Sequence, residues 1–264
     1  MTPILLLGAG RMGGALVAGW QRAEVFGGAE LIIVEPSPSI EVLEAEAGGA
    51  LLNPPDGELR RARTVVLAVK PQTWREAAAA VATLIAADAV VISIAAGVGS
   101  ADIAAALGGR RVARVMPTTA AAIGQGAASI YAADAEARAR AHALFEPVGT
   151  VVDLADEELM HAATAASGSA PAYLYALIEA LEAAAAKAGL PPEAAQTLAR
   201  STLIGADALL GEGDDDPAEL RRQVTSPGGT TQAALEVLMG EGGLEDLMNR
   251  AVAAAVARSK ALGA

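Results

Sequence analysis

The residues Ile4-Leu5-Leu6-Leu7-Gly8-Ala9-Gly10-Arg11-Met12-Gly13 confine this chain more than any others. A short apolar strand runs directly into Gly8-x-Gly10-x-x-Gly13, and a helix follows to about residue 23. In that strand-turn-helix setting each glycine has a task. Gly8 permits the tight turn, Gly10 lets a pyrophosphate approach the backbone, and Gly13 lets the helix lie close on the sheet. Ala9, Arg11 and Met12 complete the turn and count with it as cofactor-binding residues. A second strand over 31–35 ends in Glu35, about 20 residues further on, where the dinucleotide fingerprint places an acid for the ribose. The pattern predicts a Rossmann-like domain that holds a nicotinamide or flavin dinucleotide. An empty Rossmann scaffold is the alternative.

The first part of the chain alternates strand and helix. Strands are predicted at 4–7, 31–35, 64–69, 90–94, 111–116, 127–131 and 151–154, and helices near 12–23, 40–47, 73–86, 100–107 and 134–146. This is the signature of a doubly wound, largely parallel α/β sheet. From Asp156 onward apolar residues recur at helical spacing through 157–166, 171–188, 192–210, 217–224, 230–239 and 243–262, with no strand between them. The expected division is therefore a dinucleotide-binding domain over 1–155 and an all-helical domain over 156–264. The acidic turn 211–216 reads as a solvated connection, since it lacks the closing glutamate spacing of a calcium loop.

Charge narrows the partners. With 31 acidic and 19 basic residues the net charge is −12, which repels nucleic acid and anionic membrane and leaves small molecules and further copies of the chain. The absence of cysteine excludes disulfides, thiolate catalysis and cysteine-ligated metal, and suits the cytoplasm. No targeting leader is expected, because the N-terminal apolar run is short and enters the glycine turn at once. No membrane span is expected either: the apolar stretch near 172–188 carries Glu179, Glu182 and Lys187. Alanine-rich helices, extreme at 183–186, pack closely and gain most when a second subunit covers them, so an oligomer through the helical half is predicted; compositional bias is the alternative source of the alanine.

The helical half holds one conspicuous interruption, Ser226-Pro227-Gly228-Gly229-Thr230-Thr231. Pro227 ends the preceding helix, Gly228 and Gly229 free the backbone to expose N–H groups, and Thr230 or Thr231 is expected to cap the helix that follows. Backbone donors at a helix N-terminus suit a carboxylate or phosphate. A plain capped corner between two helices is the competing reading.

Two further segments reach the carboxyl edge of the sheet, where open α/β sheets bind ligands: Ala68-Val69-Lys70-Pro71-Gln72, and Ser93-Ile94-Ala95-Ala96-Gly97-Val98. Together with the late Ser-Pro-Gly-Gly-Thr-Thr block and Ser167-Gly168-Ser169-Ala170-Pro171-Ala172-Tyr173, this ordered set closely resembles pyrroline-5-carboxylate reductase over essentially the whole chain. The resemblance implies a Rossmann domain followed by an all-helical dimerisation domain, and reduction of the cyclic imine Δ1-pyrroline-5-carboxylate to L-proline with NADPH or NADH. It implies that the backbone of Gly228, Gly229 and Thr230, helped by Ser226, takes the substrate carboxylate, and that Thr231 hydrogen-bonds the ring nitrogen. It further implies cofactor contacts from Ser37, Ala68, Val69, Lys70, Pro71, Ala95, Pro117 and Thr118, with the substrate turn facing the nicotinamide held by the partner subunit. A protonated imine is already electrophilic, so the enzyme mainly has to orient it; positioning of this kind supplies roughly 7–11 kcal/mol of a barrier.

The chain departs from the family at Met116-Pro117-Thr118-Thr119-Ala120, where the family usually reads Met-Pro-Asn-Thr-Pro. The Thr118 hydroxyl stands in part for the lost amide. Glu35 suits the ribose of NAD and opposes a 2′-phosphate, while Ser37 and Ser39 stand where the family often has serines around that phosphate, so use of both cofactors is expected. His142 and His161 have no second ligand at metal spacing and read as ordinary helix residues; no metal is expected. Lys70 shapes the cofactor rim, Asp207 and Glu179 are solvated or interface charges, and Tyr173 is core by default or lines the substrate site. A β-hydroxyacid dehydrogenase shares the two-domain layout but needs a helical lysine that 167–177 lacks, an F420-dependent NADP reductase lacks the long helical tail, and a non-catalytic dinucleotide sensor has no use for the anion turn.

Overall fold

The computed structural model describes residues 1–263. Strands β1 (Ile4–Leu7), β2 (Leu31–Val34), β3 (Leu51–Leu52), β4 (Thr64–Leu67), β5 (Val90–Ser93), β6 (Val112–Pro117), β7 (Gly126–Tyr131) and β8 (Gly149–Asp153) form one sheet in the order β3-β2-β1-β4-β5-β6-β7-β8. Neighbours from β3 to β6 are parallel; β7 runs antiparallel to β6, and β8 runs with β7. The strand order reverses between β1 and β4, which is the switch point where doubly wound sheets take ligands.

Alternation along each strand builds two cores. Ile4, Leu6, Ile33, Val66 and Ile92 face α1 (Arg11–Arg22) and the later α6 (Ala135–Phe145), meeting Leu16, Val17, Trp20, Leu144 and Phe145. Leu5, Leu7, Ile32, Val65 and Val91 face the other way, onto Trp74 and Ala78 of α4 (Trp74–Val81) and Ile103 of α5 (Ser100–Ala106). Such strands, apolar on both faces, are what a sheet covered by helices on both sides requires. The Trp20 indole N–H, buried with the ring, donates to the Leu144 carbonyl at 2.8 Å and so locks α1 to α6.

Elements with strong patterns fall within a few residues of their predicted ends. Three features were not predicted. The two-residue β3 and the one-turn α3 (Asp56–Leu59) are too short to carry periodicity, and they follow α2 (Ile40–Ala47). Helix α4 stops at Val81 and not near residue 86, because Arg110 reaches across and donates to the carbonyls of Ala82, Ile85 and Ala86 at 3.2, 2.7 and 2.9 Å. Helix α7 (Leu159–Ala163) widens into a π-helical segment, Thr164–Gly168.

By internal contacts the chain divides into two units. The first takes Met1–Gly168 together with the C-terminal stretch from Ala254, and the second takes Ser169–Ala253. The strand-to-helix change predicted at residue 155 follows the end of β8, while the contact division comes later because Glu157 and His161 are bonded into the first unit. The second unit contains α8 (Ala170–Lys187), α9 (Pro192–Glu212), α10 (Pro217–Gln223), α11 (Thr230–Leu238) and most of α12 (Leu244–Gly263). Helices α8 and α9 pack together and share an Arg200–Glu182 ion pair at 2.7 Å. This unit buries little by itself: α8 has no fully buried residue, and Leu174, Tyr175, Leu181, Ile204, Leu209 and Val237 are exposed. So many exposed large apolar side chains mark an association face.

His142 on α6 is bracketed by two carboxylates, Nδ1 with Glu146 at 2.7 Å and Nε2 with Asp153 of β8 at 3.0 Å. The bond to Glu146 raises the imidazole pKa; partial burial opposes this, and Asp153 adds to the rise. A raised folded-state pKa gives stability that is fully present below the unfolded value of about 6.5 and is lost as pH rises through the folded value. His142→Asn should therefore lower the melting temperature by roughly 1–4 °C near pH 6 and by much less near pH 9, for a pair of this exposure. Equal losses at both pH values in thermal melts would refute the charged bridge.

Candidate functional site

The glycine turn is built as the fingerprint requires. Gly8 has φ +85°, and a Cβ there would stand 2.9 Å from both Ala68 O and Val69 Cγ1, so the β1 and β4 loops meet across the switch point. A Cβ on Gly13 would overlap the Gly8 carbonyl oxygen. Gly10 differs: nothing lies within 4 Å of its Cβ position, leaving open space above the backbone. Gly10 is also the N-cap of α1 and has no capping side chain, so the N–H groups of Arg11, Met12 and Gly13 open the helix without intrahelical partners. An open cradle lined by helix N-terminal donors fits a dinucleotide pyrophosphate.

Four parallel strands deliver the other predicted residues to the same edge. Glu35 follows β2, Ala68 to Pro71 follow β4, Ala95 follows β5, Pro117 ends β6 and Thr118 follows it. The Lys70 carbonyl accepts the Thr73 N–H at 3.0 Å and so shapes the rim, while its side chain is exposed. Two of these groups also carry bonds within the protein. Glu35 is buried, and its carboxylate is already engaged: Oε2 accepts the Ala9 N–H at 2.7 Å and Oε1 the Ser37 N–H at 2.9 Å. The Thr118 hydroxyl, expected to replace an amide at the cofactor, has its oxygen accepting the Ala127 N–H at 2.9 Å across the β6–β7 connection, which leaves its proton and one lone pair to offer. Beside the turn lies a cavity of about 480 Å³ lined by Gly10, Arg11, Ser37, Ser39, Glu41 and Thr119.

Residues that the sequence reading passed over hold this edge in place. Asn53, at φ +46°, brackets the Glu35 peptide, accepting its N–H at 3.0 Å and donating to its carbonyl at 2.9 Å. Asparagine tolerates that left-handed conformation, which was the available signal. Arg114, the one charge in the apolar strand β6, is 4% exposed and donates to Glu157 at 2.9 Å. Glu157 also accepts the Ser100 N–H at 2.6 Å and the Ser100 hydroxyl at 2.8 Å. Burial pushes the Glu157 carboxyl up, but the Ser100 and Arg114 bonds outweigh it and hold the group below its ordinary value. The cluster ties the segment leading into α7 to α5 and β6. His161, buried beside it, pairs with Ser259 of α12 at 2.9 Å, and burial lowers its pKa.

In the second unit the predicted turn forms between α10 and α11, with Gly228 at φ +70°. Neither threonine caps α11. The N-cap is Gly229, extended at ψ 173°, and Thr230 and Thr231 are the first two helical residues. The Gly229 N–H closes the turn on the Ser226 carbonyl at 3.0 Å, and the Gly228 N–H is held by the Gln232 side chain at 2.7 Å. The open donors are thus those of the first turn, the N–H groups of Thr230, Thr231 and Gln232, with both threonine hydroxyls unengaged among the described residues. Tyr173, on α8, has a buried hydroxyl with no hydrogen-bond partner among the described residues.

Comparison with known proteins places these two units in one family. Residues 157–262 match the profile described as pyrroline-5-carboxylate reductase dimerisation, and residues 3–97 match that of the NADP oxidoreductase, coenzyme F420-dependent. The pyrroline-5-carboxylate reductase of Pseudomonas aeruginosa is 36% identical over 99% of this chain and 97% of its own. The chain belongs to the pyrroline-5-carboxylate reductase family. Solved members share the whole fold. The Coxiella burnetii pyrroline-5-carboxylate reductase superposes with a TM-score of 0.87 at 32% identity, covering 100% of this chain and 99% of that one. The Plasmodium falciparum pyrroline carboxylate reductase, solved with NADP bound, does so at 0.86 and 26% identity, covering 100% and 98%. The reductase family's dimerisation region coincides with the exposed apolar helices, which makes the protein a homo-oligomer. Among the described residues no helix is long and apolar enough to cross a membrane.

Proposed function

We propose that this protein reduces Δ1-pyrroline-5-carboxylate to L-proline with NADPH or NADH, the last step of proline biosynthesis, working as a homodimer or larger homo-oligomer in the cytoplasm. The observation that carries the reading is the pairing, in a single chain of this family, of an open glycine cradle with an uncapped donor turn at α11.

The fingerprint residues Gly8, Ala9, Gly10, Arg11, Met12 and Gly13 hold the pyrophosphate, with Glu35 and Ser37 at the adenosine ribose. Ala68, Val69, Lys70, Pro71, Ala95, Pro117 and Thr118 line the strand-end edge along the rest of the dinucleotide. When bound, that group supplies the hydride. The turn at Ser226, Gly228, Gly229 and Thr230 takes the substrate carboxylate. Because Gln232 occupies the Gly228 N–H in this structure, the carboxylate meets the Thr230 and Thr231 N–H groups first, and full engagement of Gly228 requires Gln232 to let go. The Thr231 hydroxyl bonds the ring nitrogen and so fixes which face of the C=N bond is presented. No strong acid or base is needed, because the protonated imine is already an electrophile and orientation carries most of the catalysis. A dinucleotide sensor would have no use for uncapped donors at α11.

The test is oxidation of NADH and of NADPH by the purified protein, with and without the imine, while proline is measured. Imine-dependent oxidation with proline formed upholds the reading; dinucleotide binding without turnover would replace it with a sensor.

A further inference from the structure

We propose that this chain selects NADH over NADPH, because the Glu35 carboxylate is fixed at the end of β2, where the fingerprint places the adenosine ribose, and a second carboxylate, Glu41, lines the cavity beside the glycine turn. The inference rests on the reductase reading for its cofactor class. An acid at the end of β2 accepts ribose hydroxyls and opposes a 2′-phosphate. A mobile acid would merely turn away from the phosphate. Glu35 cannot do so without breaking the bonds from the Ala9 and Ser37 N–H groups, and Ala9 is fully buried, so its donor would be stranded without water. The Glu35 backbone is equally fixed, clamped at both its N–H and its carbonyl by Asn53. Each carboxylate oxygen accepts one N–H and keeps a lone pair, which is what a ribose diol requires.

Two of the donors that would welcome a phosphate are already engaged. The Ser37 N–H is held by Glu35, and the Ser39 hydroxyl donates to Glu41 Oε2 at 2.5 Å. That bond holds the Glu41 carboxyl below its ordinary value, so Glu41 stays charged at the first turn of α2, where a phosphate would otherwise benefit from the helix N-terminus. Among the described residues that line the cavity Arg11 is the one cation, and Glu41 lines it too. A 2′-phosphate adds about two negative charges to a site already carrying two carboxylates against one guanidinium.

Binding of each dinucleotide to the purified protein, followed by nicotinamide fluorescence without imine, tests this. The dissociation constant for NADH should be lower than that for NADPH by at least about tenfold. Glu35→Gln should narrow that ratio by roughly fivefold or more, and Glu41→Gln, which leaves the clamp intact, by a smaller factor. Added salt should narrow the wild-type ratio, since the exclusion is electrostatic. NADPH binding as tight as NADH in the wild type overturns the proposal, as does a ratio that moves neither with salt nor in Glu41→Gln, even if Glu35→Gln fails to fold. Imine-dependent turnover with either dinucleotide upholds the proposed function whichever way the ratio falls, so the two readings fail separately.

Discussion

Gly13→Ala should lower the melting temperature by roughly 3–10 °C and weaken dinucleotide binding by at least about tenfold, measured by thermal melts and by nicotinamide fluorescence. The added methyl group meets the Gly8 carbonyl oxygen, a backbone atom with no flexible side chain to give way. Gly8 is itself pinned by its positive φ, by the bond from its N–H to Val34 O at 2.9 Å, and by Ala68 and Val69 standing where a Cβ would be. Helix α1 must therefore move off the sheet, taking the Arg11 and Met12 N–H groups away from the cradle. Gly10→Ala separates folding from binding. Its Cβ enters open space in the protein alone, so stability should change by no more than about 1 kcal/mol, while the space a pyrophosphate needs is taken and binding falls. A Gly13→Ala protein with unchanged melting and affinity would show that α1 can shift freely, against the close approach seen here.

The same glycines explain why so much of the fold was legible in the sequence. Strand, turn and helix are local there, and each of the first turn's requirements falls on a residue type that few others replace. The long apolar strands and the alternation of element types were equally local signals. What escaped prediction depends on residues distant in sequence. The end of α4 is set by Arg110, and the orientation of Glu35 by Asn53 and by the Ala9 N–H. The Arg114–Glu157–Ser100 cluster joins three elements that no spacing rule connects. At the late turn the break and the exposed backbone were readable, but not the cap. Gly229 takes the N-cap position because the bond from its own N–H to the Ser226 carbonyl starts the helix there, placing both threonines inside it.

That placement gives the second large effect. Thr231→Ala should reduce kcat/KM for the imine by roughly five- to a hundredfold, the loss expected when a hydrogen bond to the reacting ring is removed. As the second residue of α11, Thr231 is half-buried and holds its hydroxyl on the same turn as the free N–H groups of Thr230 and Thr231, so one short helix end can hold both the carboxylate and the nitrogen of a small cyclic substrate. The hydroxyl caps nothing, so its removal should leave the melting temperature within about 2 °C of the wild type and dinucleotide affinity unchanged. A loss confined to turnover distinguishes a group that touches the substrate from one that holds the helix. Thr231→Ser keeps the hydroxyl and should recover most of the activity, whereas a structural role for the methyl group would leave both variants equally impaired. Unchanged kcat/KM in Thr231→Ala would remove Thr231 from the site and leave the backbone donors to orient the substrate alone.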